Sequence, residues 1–444
     1  MSEKKTLLKH ALTVLLGQLA VISFGVTDTI VAGRYDPNAL AALSISSAIY
    51  ISVYVALLGV LQAMLPMLAE LHGAKSLRKI GDLFHQGLYL LFGLCFVGLT
   101  VLLSPQFILK WTQVPDKLHQ SVCDYLFLLA IALPAALFFR LFSTLNQSLG
   151  HPTTVTLIQL IALAIKIPLS ILLTFGFADM EPQGLQGCAV ATILVNYAML
   201  SISVYLLKYK ELYQDYGIWK KPLPPNFKDI GLIARSGVPN ALSVTVEVTS
   251  FTFMALLIAR LGVTASASHQ VAANLAALLY MVPLSFGIAT SARTSYWLGA
   301  HNFAMVKNSV KAGFQLLLLI SFLLSTLLWL ARDEISHIYV SDPEVMRITS
   351  ELIGLLAFYH FSDAVQTICF FVLRSLKVVL IPFFIYSLLL WGIGLGGGLI
   401  LAYHKDIVYF QSPSAFWLSS IAALCFVSAS LLILLRLKLN RFGS

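Results

Sequence analysis

The sequence predicts an all-α polytopic membrane protein, with twelve transmembrane helices in two six-helix lobes related by pseudo-two-fold symmetry. Three observations lead there: a composition unsuited to a soluble fold, a ladder of long apolar runs, and a likeness between the two halves of the chain. Hydrophobic residues make up 58% of the 444 positions and charged residues 11%, against roughly 25% charged in a soluble domain. A soluble protein this apolar could not cover its surface with polar groups, whereas lipid solvates an apolar exterior.

The apolar runs give spans at roughly 8–33, 39–69, 84–104, 121–145, 153–177, 187–207, 231–260, 268–291, 310–331, 349–373, 378–403 and 414–436, each near or above the length needed to cross hydrocarbon. The first run is too long for the apolar part of a cleavable signal and carries Asp28, so it is expected to remain as a span. One long polar connection, 208–230, carries many charges and three prolines. It divides the chain into an N-terminal lobe (1–207), a connector (208–230) and a C-terminal lobe (231–444).

The net charge of +9 is not gathered into a basic patch, which counts against nucleic acid as a partner. Twenty of the 29 Lys and Arg residues fall in the two tails and in alternate loops. The opposite loops hold seven: Arg34, Lys110, Lys117, Arg260, Arg332, Arg347 and Lys405. Such a bias puts both termini and the connector in the cytoplasm. The five cysteines stand singly in apolar runs, with no C-x-x-C pair, and read as small packing residues.

The halves resemble each other at a fixed offset. Displaced by 226, Ala39, Ala41, Tyr54, Gly73-Ala74 and Gly87 fall on Ala265, Ala267, Tyr280, Gly299-Ala300 and Gly313; displaced by 227, Ser148-Leu149 fall on Ser375-Leu376. Six spans per copy return the second copy to the same orientation. The repeat is therefore parallel, about an axis normal to the membrane, as in transporters with a central cavity.

Charges inside the apolar runs each need an account, because an ionisable group in hydrocarbon costs about 2.5–3.5 kcal/mol on insertion scales. Five stand out: Asp28, Arg140, Lys166, Glu247 and Asp363. Arg140, near the cytoplasmic end of span 4, reads as an interfacial anchor that snorkels. The three acids can alternate between protonated and charged forms, or hold a hard cation with oxygen ligands. Either behaviour couples an ion gradient to a conformational change. In span 10, Tyr359, Asp363 and Gln366 fall at i, i+4 and i+7, so phenol, carboxylate and amide share one helical face. Ser243 and Ser250 flank Glu247 at i−4 and i+3, positions that serve as ligands or as helix-packing groups.

A family resemblance runs through nearly the whole chain. The run Asp28-Thr29-Ile30-Val31-Ala32-Gly33 is similar to a D-T-x-x-A-G segment of the multidrug and toxic compound extrusion (MATE) family, and Gly237-Val238-Pro239 through Glu247 is similar to its G-x-P…E. His269-Gln270-Val271-Ala272-Ala273-Asn274, Tyr280-Met281-Val282-Pro283-Leu284-Ser285 and Asp363-Ala364-Val365-Gln366 through Leu373-Arg374 resemble H-Q-V-A-x-N, Y-M-x-P-L-S and D-x-x-Q…L-R in the same order. The resemblance, to the NorM-like branch, implies two six-helix lobes with a cleft between them, exporting mostly cationic, amphipathic drugs in exchange for Na⁺ or H⁺. It implies that Glu247, Asp363 and Asp28 are the coupling acids and that Tyr359 contributes to the second-lobe cation site. On this reading Glu247, Asp363 and Tyr359 are the Na⁺ ligands, should the coupling ion be Na⁺.

Two departures are visible. Where relatives carry N-x-P-L-N, this chain reads Lys166-Ile167-Pro168-Leu169-Ser170; where they carry G-x-P in span 11, it reads Gly394-Leu395-Gly396-Gly397-Gly398. The first counts against a separate cation site in the first lobe, and the second suggests a more pliable helix. Asp28 and Lys166, at comparable depths in the same lobe, are expected to form an ion pair, with a Lys166 that meets cargo alone in the cavity as the competing view. The expected protein is a monomeric secondary antiporter of the cell inner membrane, not an enzyme, without a cofactor. A flippase of lipid-linked, anionic cargo is the alternative, and Lys166 and Arg140 are its support. An intramembrane enzyme is disfavoured, as the chain has neither H-E-x-x-H nor G-x-S-x-G.

Overall fold

The computed structural model describes residues 2–106, 109, 116–176, 181–219, 223–404 and 411–440. Of the cations counted above, Lys110, Lys220, Lys221, Lys405 and Arg441 lie outside the described residues. The helices are α1 (Glu3–Tyr35), α2 (Pro37–Gln62), α3 (Met64–Gly73), α4 (Leu77–Leu103), α5 (Asp116–Ser148), α6 (Pro152–Phe175), α7 (Leu185–Tyr209), α8 (Glu211–Gln214), α9 (Phe227–Ala259), α10 (Val263–Gly299), α11 (Phe303–Leu330), α12 (Arg332–Tyr339), α13 (Pro343–Ser375), α14 (Leu380–Leu389), α15 (Gly398–Tyr403) and α16 (Ser414–Asn440). Among the described residues, twelve helices are long and apolar enough to cross a membrane, and they follow the twelve apolar runs.

Three details depart from the simple ladder. The second span is broken at Ala63 into α2 and α3. Pro66 has no N–H to give the Gln62 carbonyl, so the helix is interrupted one turn earlier. The glycine-rich stretch of span 11 forms a wide π-helix over Leu390–Gly397, continuous with α14 and α15. Two short helices, α8 and α12, lie in the connections.

The halves repeat their turns as well as their sequence. Lys75 and His301 both take a left-handed φ of 54°, and Gly150 and Lys377 take 78° and 61°. In each turn two backbone N–H groups close on the helix end, as Ser76 N on Leu71 O with Lys75 N on His72 O, and Asn302 N on Trp297 O with His301 N on Leu298 O. This is the Schellman arrangement that satisfies the last carbonyls of a helix. Its members stand 226 and 227 residues apart, the offsets read from sequence.

The compact units are Leu16–Ala241 and Met1–Leu15 with Leu242–Ser444, called here the N-terminal and C-terminal units. These limits differ from the sequence division at 208–230. The connector belongs to the N-terminal unit because it is bound there by hydrogen bonds. His85 Nε2 donates to the Ile218 carbonyl at 2.7 Å, and the Gln86 side chain bonds both Pro224 O at 3.2 Å and Asn226 N at 2.7 Å. The Tyr213 hydroxyl donates to Asn146 Oδ1 at 2.7 Å, and burial pushes that phenol up to about 12. The start of α1 belongs to the C-terminal unit because Leu7 and Ala11 enter its core. Its Glu3 carboxylate accepts from Arg293 Nη2 at 2.7 Å and Ser309 Oγ at 2.7 Å.

Candidate functional site

In the C-terminal unit the acids of two separate helices come together. α9 carries Glu247, and α13 carries Tyr359, Asp363 and Gln366 on one face, as the i, i+4, i+7 spacing requires. Tyr359, Asp363 and Gln366 are all buried, at 6%, 4% and 4% exposure. Gln366 Nε2 donates to Asp363 Oδ1 at 2.9 Å and to Thr367 Oγ1 at 3.1 Å. Glu247 lies within electrostatic reach of Asp363 and accepts a hydrogen bond from the Tyr386 hydroxyl of α14. The phenols of Tyr280, Tyr359 and Tyr386 all stand in the field of both acids.

This arrangement is held by packing behind it. A Cβ added at Gly287 would lie 2.6 Å from the Phe371 ring, so glycine allows α10 and α13 to approach closely. Tyr359 is wedged edge-on between Phe251 and Trp417, with ring centroids 6.0 and 5.5 Å away. Its ring therefore has a fixed position and its hydroxyl a fixed direction. Ser243 is buried one turn before Glu247, and Ser250 is buried on the same helix one turn after it.

Two like charges in apolar surroundings are stable only with positive charge beside them, supplied by protons or by a cation. Carboxylate, phenol and amide oxygens form the hard donor set that an alkali cation prefers. The cluster can thus bind and release a small cation or protons, and among the described residues no group of three His, Cys, Asp or Glu side chains is built for a transition metal.

In the N-terminal unit Asp28 of α1 meets Lys166 of α6. Lys166 is fully buried and Asp28 is 7% exposed. The ammonium lies 2.7 and 3.0 Å from the two carboxylate oxygens, 3.1 Å from the Cys188 carbonyl and 2.5 Å from Thr192 Oγ1. Ser170 Oγ donates to Asp28 Oδ1 at 3.4 Å. α7 reaches α6 this closely because Gly187 has no side chain, since a Cβ there would fall 2.5 Å from the Leu173 carbonyl carbon. The sequence expectation of an ion pair is met in this geometry, and the competing view of a lone Lys166 is not. Arg140 is partly buried on α5, with the Tyr54 phenol in its field.

Sequence reasoning missed Tyr386, Thr367 and the Cys188 carbonyl. Tyr386 is the one phenol in the apolar run Leu380–Leu389, a signal that was present and that apolar packing also explains. Tyr280 was visible in two ways, in the repeat and in the Y-M-x-P-L-S run, without a role at the acids. A backbone carbonyl has no signature in sequence.

Comparison with known proteins follows the same lines. Residues 14–172 and 239–399 each match the sequence profile of the MatE family. The two starts lie 225 residues apart and the two ends 227, close to the offset of the internal repeat. The chain is 36% identical to the "Probable multidrug resistance protein NorM" of Aromatoleum aromaticum over 437 residues, covering 98% of this chain and 94% of that protein. It is 30% identical to the "Multidrug resistance protein NorM" of Photobacterium profundum over 439 residues, covering 98% and 95%. Among solved structures, the Vibrio cholerae MATE transporter VcmN in its bent form has a TM-score of 0.89 at 16% identity, covering 100% of this chain and 98% of that one. The eukaryotic MATE transporter AtDTX14 gives 0.86 at 18%, covering 99% and 98%. At such identities the likeness establishes a shared fold.

Proposed function

The chain belongs to the multidrug and toxic compound extrusion (MATE) family of integral multi-pass membrane proteins, and from that premise we propose that it is a cation-coupled antiporter exporting amphipathic, mostly cationic drugs by alternating access. The names of its NorM relatives support multidrug efflux as the activity. The coupling ion is Na⁺ or H⁺, taken up in exchange for drug. The observation that carries this reading is the Glu247–Asp363 pair, a half-buried and a buried acid sharing one electrostatic field among three phenols.

The physical logic is one of differential binding. A cation that neutralises the pair stabilises whichever conformation holds both carboxylates close, and a ligand shifts an equilibrium only by its difference in affinity for the two states. A gradient of that cation then drives the cycle in one direction. Amphipathic organic cations suit a C-terminal unit whose membrane segments place two acids in one field. Its place on this reading is the cell inner membrane, and the distribution of loop cations supports an orientation with both termini cytoplasmic. The flippase alternative loses its main support, because the Lys166 ammonium is engaged by Asp28 and is not offered to an anionic cargo.

Glu247→Gln and Asp363→Asn, each near-isosteric, test the assignment. Both variants are expected to reach the membrane at parental levels and to lose gradient-driven efflux of a fluorescent lipophilic cation from cells. Parental efflux by both variants at equal expression overturns it.

A further inference from the structure

The environment of the Lys166 ammonium is that of a monovalent cation in an oxygen site. Four oxygens of three chemical kinds lie within 3.1 Å of Nζ: both carboxylate oxygens of Asp28, the hydroxyl of Thr192 and the carbonyl of Cys188. The hydrogen-bond directions are consistent. The Thr192 hydroxyl gives its own proton to the Cys188 carbonyl at 2.9 Å, which leaves its lone pairs to accept from Lys166. An ammonium has three protons, and four acceptors engage them all. Asn196 Nδ2 donates to the Thr192 carbonyl at 2.8 Å and fixes that turn of α7. The shell is thus built from α1, α6 and α7 around a lysine at 0% exposure.

We propose that Lys166 is a built-in cation: its ammonium fills a monovalent-cation site made by Asp28, Thr192 and the Cys188 carbonyl, and shortening the side chain opens that site to a free cation of ammonium size. Carboxylate, carbonyl and hydroxyl oxygens are the ligands hard cations select. The contacts of 2.5–3.1 Å suit an ion as large as ammonium, K⁺ or Rb⁺. Smaller ions call for shorter contacts, down to about 2.0–2.1 Å for Mg²⁺. A covalently tethered cation cannot be exchanged with solution. The N-terminal unit therefore carries a permanently neutralised acid, and ion exchange falls to the C-terminal unit. Removing the ammonium leaves Asp28 buried without its counter-charge, which is the driving force for a free cation to enter.

The inference stands apart from the proposed function and is tested without transport. Lys166→Ala is made in a chain already carrying Glu247→Gln and Asp363→Asn, so that the second cluster cannot answer to cations. Apparent melting temperature is measured in detergent at constant ionic strength while choline chloride is replaced by KCl, RbCl, NH₄Cl, methylammonium chloride or NaCl. The chain retaining Lys166 is expected to show no cation-specific shift. Lys166→Ala is expected to be less stable in choline and to regain stability with K⁺, Rb⁺, ammonium or methylammonium. That gain grows with the logarithm of concentration once a site is filled, and it disappears when Asp28→Asn is added. Lys166→Gln, which keeps most of the stem and offers an amide oxygen, is measured alongside. Accumulation of either variant in K⁺ or ammonium but not in choline also supports the site. Equal melting in choline and in every other cation, a shift that survives Asp28→Asn, or failure of both variants to accumulate in any cation overturns it.

Discussion

Breaking the Asp28–Lys166 pair from either side gives the sharpest energetic expectation. Lys166→Met keeps an unbranched apolar stem of similar length and deletes the ammonium. Asp28, 7% exposed, then keeps the Ser170 hydroxyl at 3.4 Å and loses the contact at 2.7 Å that neutralised it. Asp28→Asn does the converse and leaves a fully buried ammonium facing a neutral amide. Removing one partner of a buried pair costs about 3–5 kcal/mol, so each single change is expected to fall in that range. Joining Asp28→Asn to Lys166→Met removes both charges and keeps the Ser170 hydroxyl beside the new amide. The double variant is therefore expected to be more stable than either single one, which requires a coupling energy larger than the cost of the costlier single change, about 3–5 kcal/mol, above the about 0.5–3 kcal/mol common within one network. Unfolding of the four purified proteins in detergent, followed by tryptophan fluorescence, completes the cycle. A coupling energy near zero refutes the reasoning, because it means that neither charge feels the removal of the other.

Other consequences follow from single contacts. Tyr359→Phe keeps the edge-on contacts with Phe251 and Trp417 and removes one oxygen, so apparent affinity for the coupling cation should fall several-fold more than affinity for drug; equal effects on both mark a packing residue. Tyr386→Phe removes the hydroxyl that bonds Glu247 and is expected to weaken cation-dependent transport with little loss of melting temperature, checked by transport titrated against cation in proteoliposomes. Gly187→Ala drives a methyl group to 2.5 Å from the Leu173 backbone. Overpacking of that kind costs about 1–3 kcal/mol, read as a lower melting temperature, and an unchanged melting temperature contradicts the close approach of α6 and α7.

The twelve spans were legible because each is a long apolar run and hydrocarbon leaves a chain few alternatives to helix. Breaks within them were less so. Pro66 interrupts its span, whereas Pro134, Pro168, Pro239 and Pro283 sit inside continuous helices. The outcome depends on neighbours that re-satisfy the freed carbonyl, which sequence does not reveal. The same holds for the glycines of span 11: pliability was readable, and the wide helix over Leu390–Gly397 was not.

At the sites, residues on one helix were legible by arithmetic, as Tyr359, Asp363 and Gln366 were. Charges in apolar runs announced themselves, and Lys166 with Asp28 could be matched by depth alone. Tyr386 was hidden because a phenol is an ordinary packing residue of a membrane helix, and its meeting with Glu247 joins positions 139 residues apart. The start of α1 packs with the C-terminal unit through Leu7, Ala11 and Glu3, a tertiary outcome that the connector's composition did not foreshadow.

The central claim is that a cation gradient acting through Glu247 and Asp363 drives export. Purified protein in proteoliposomes, given a Na⁺ gradient at equal pH and then a pH gradient without Na⁺, tests it most directly, with a fluorescent organic cation as cargo. The account predicts uphill movement of cargo against at least one of the two imposed gradients, abolished by Glu247→Gln and by Asp363→Asn. Cargo movement that follows neither gradient, or that persists unchanged in both variants, contradicts it.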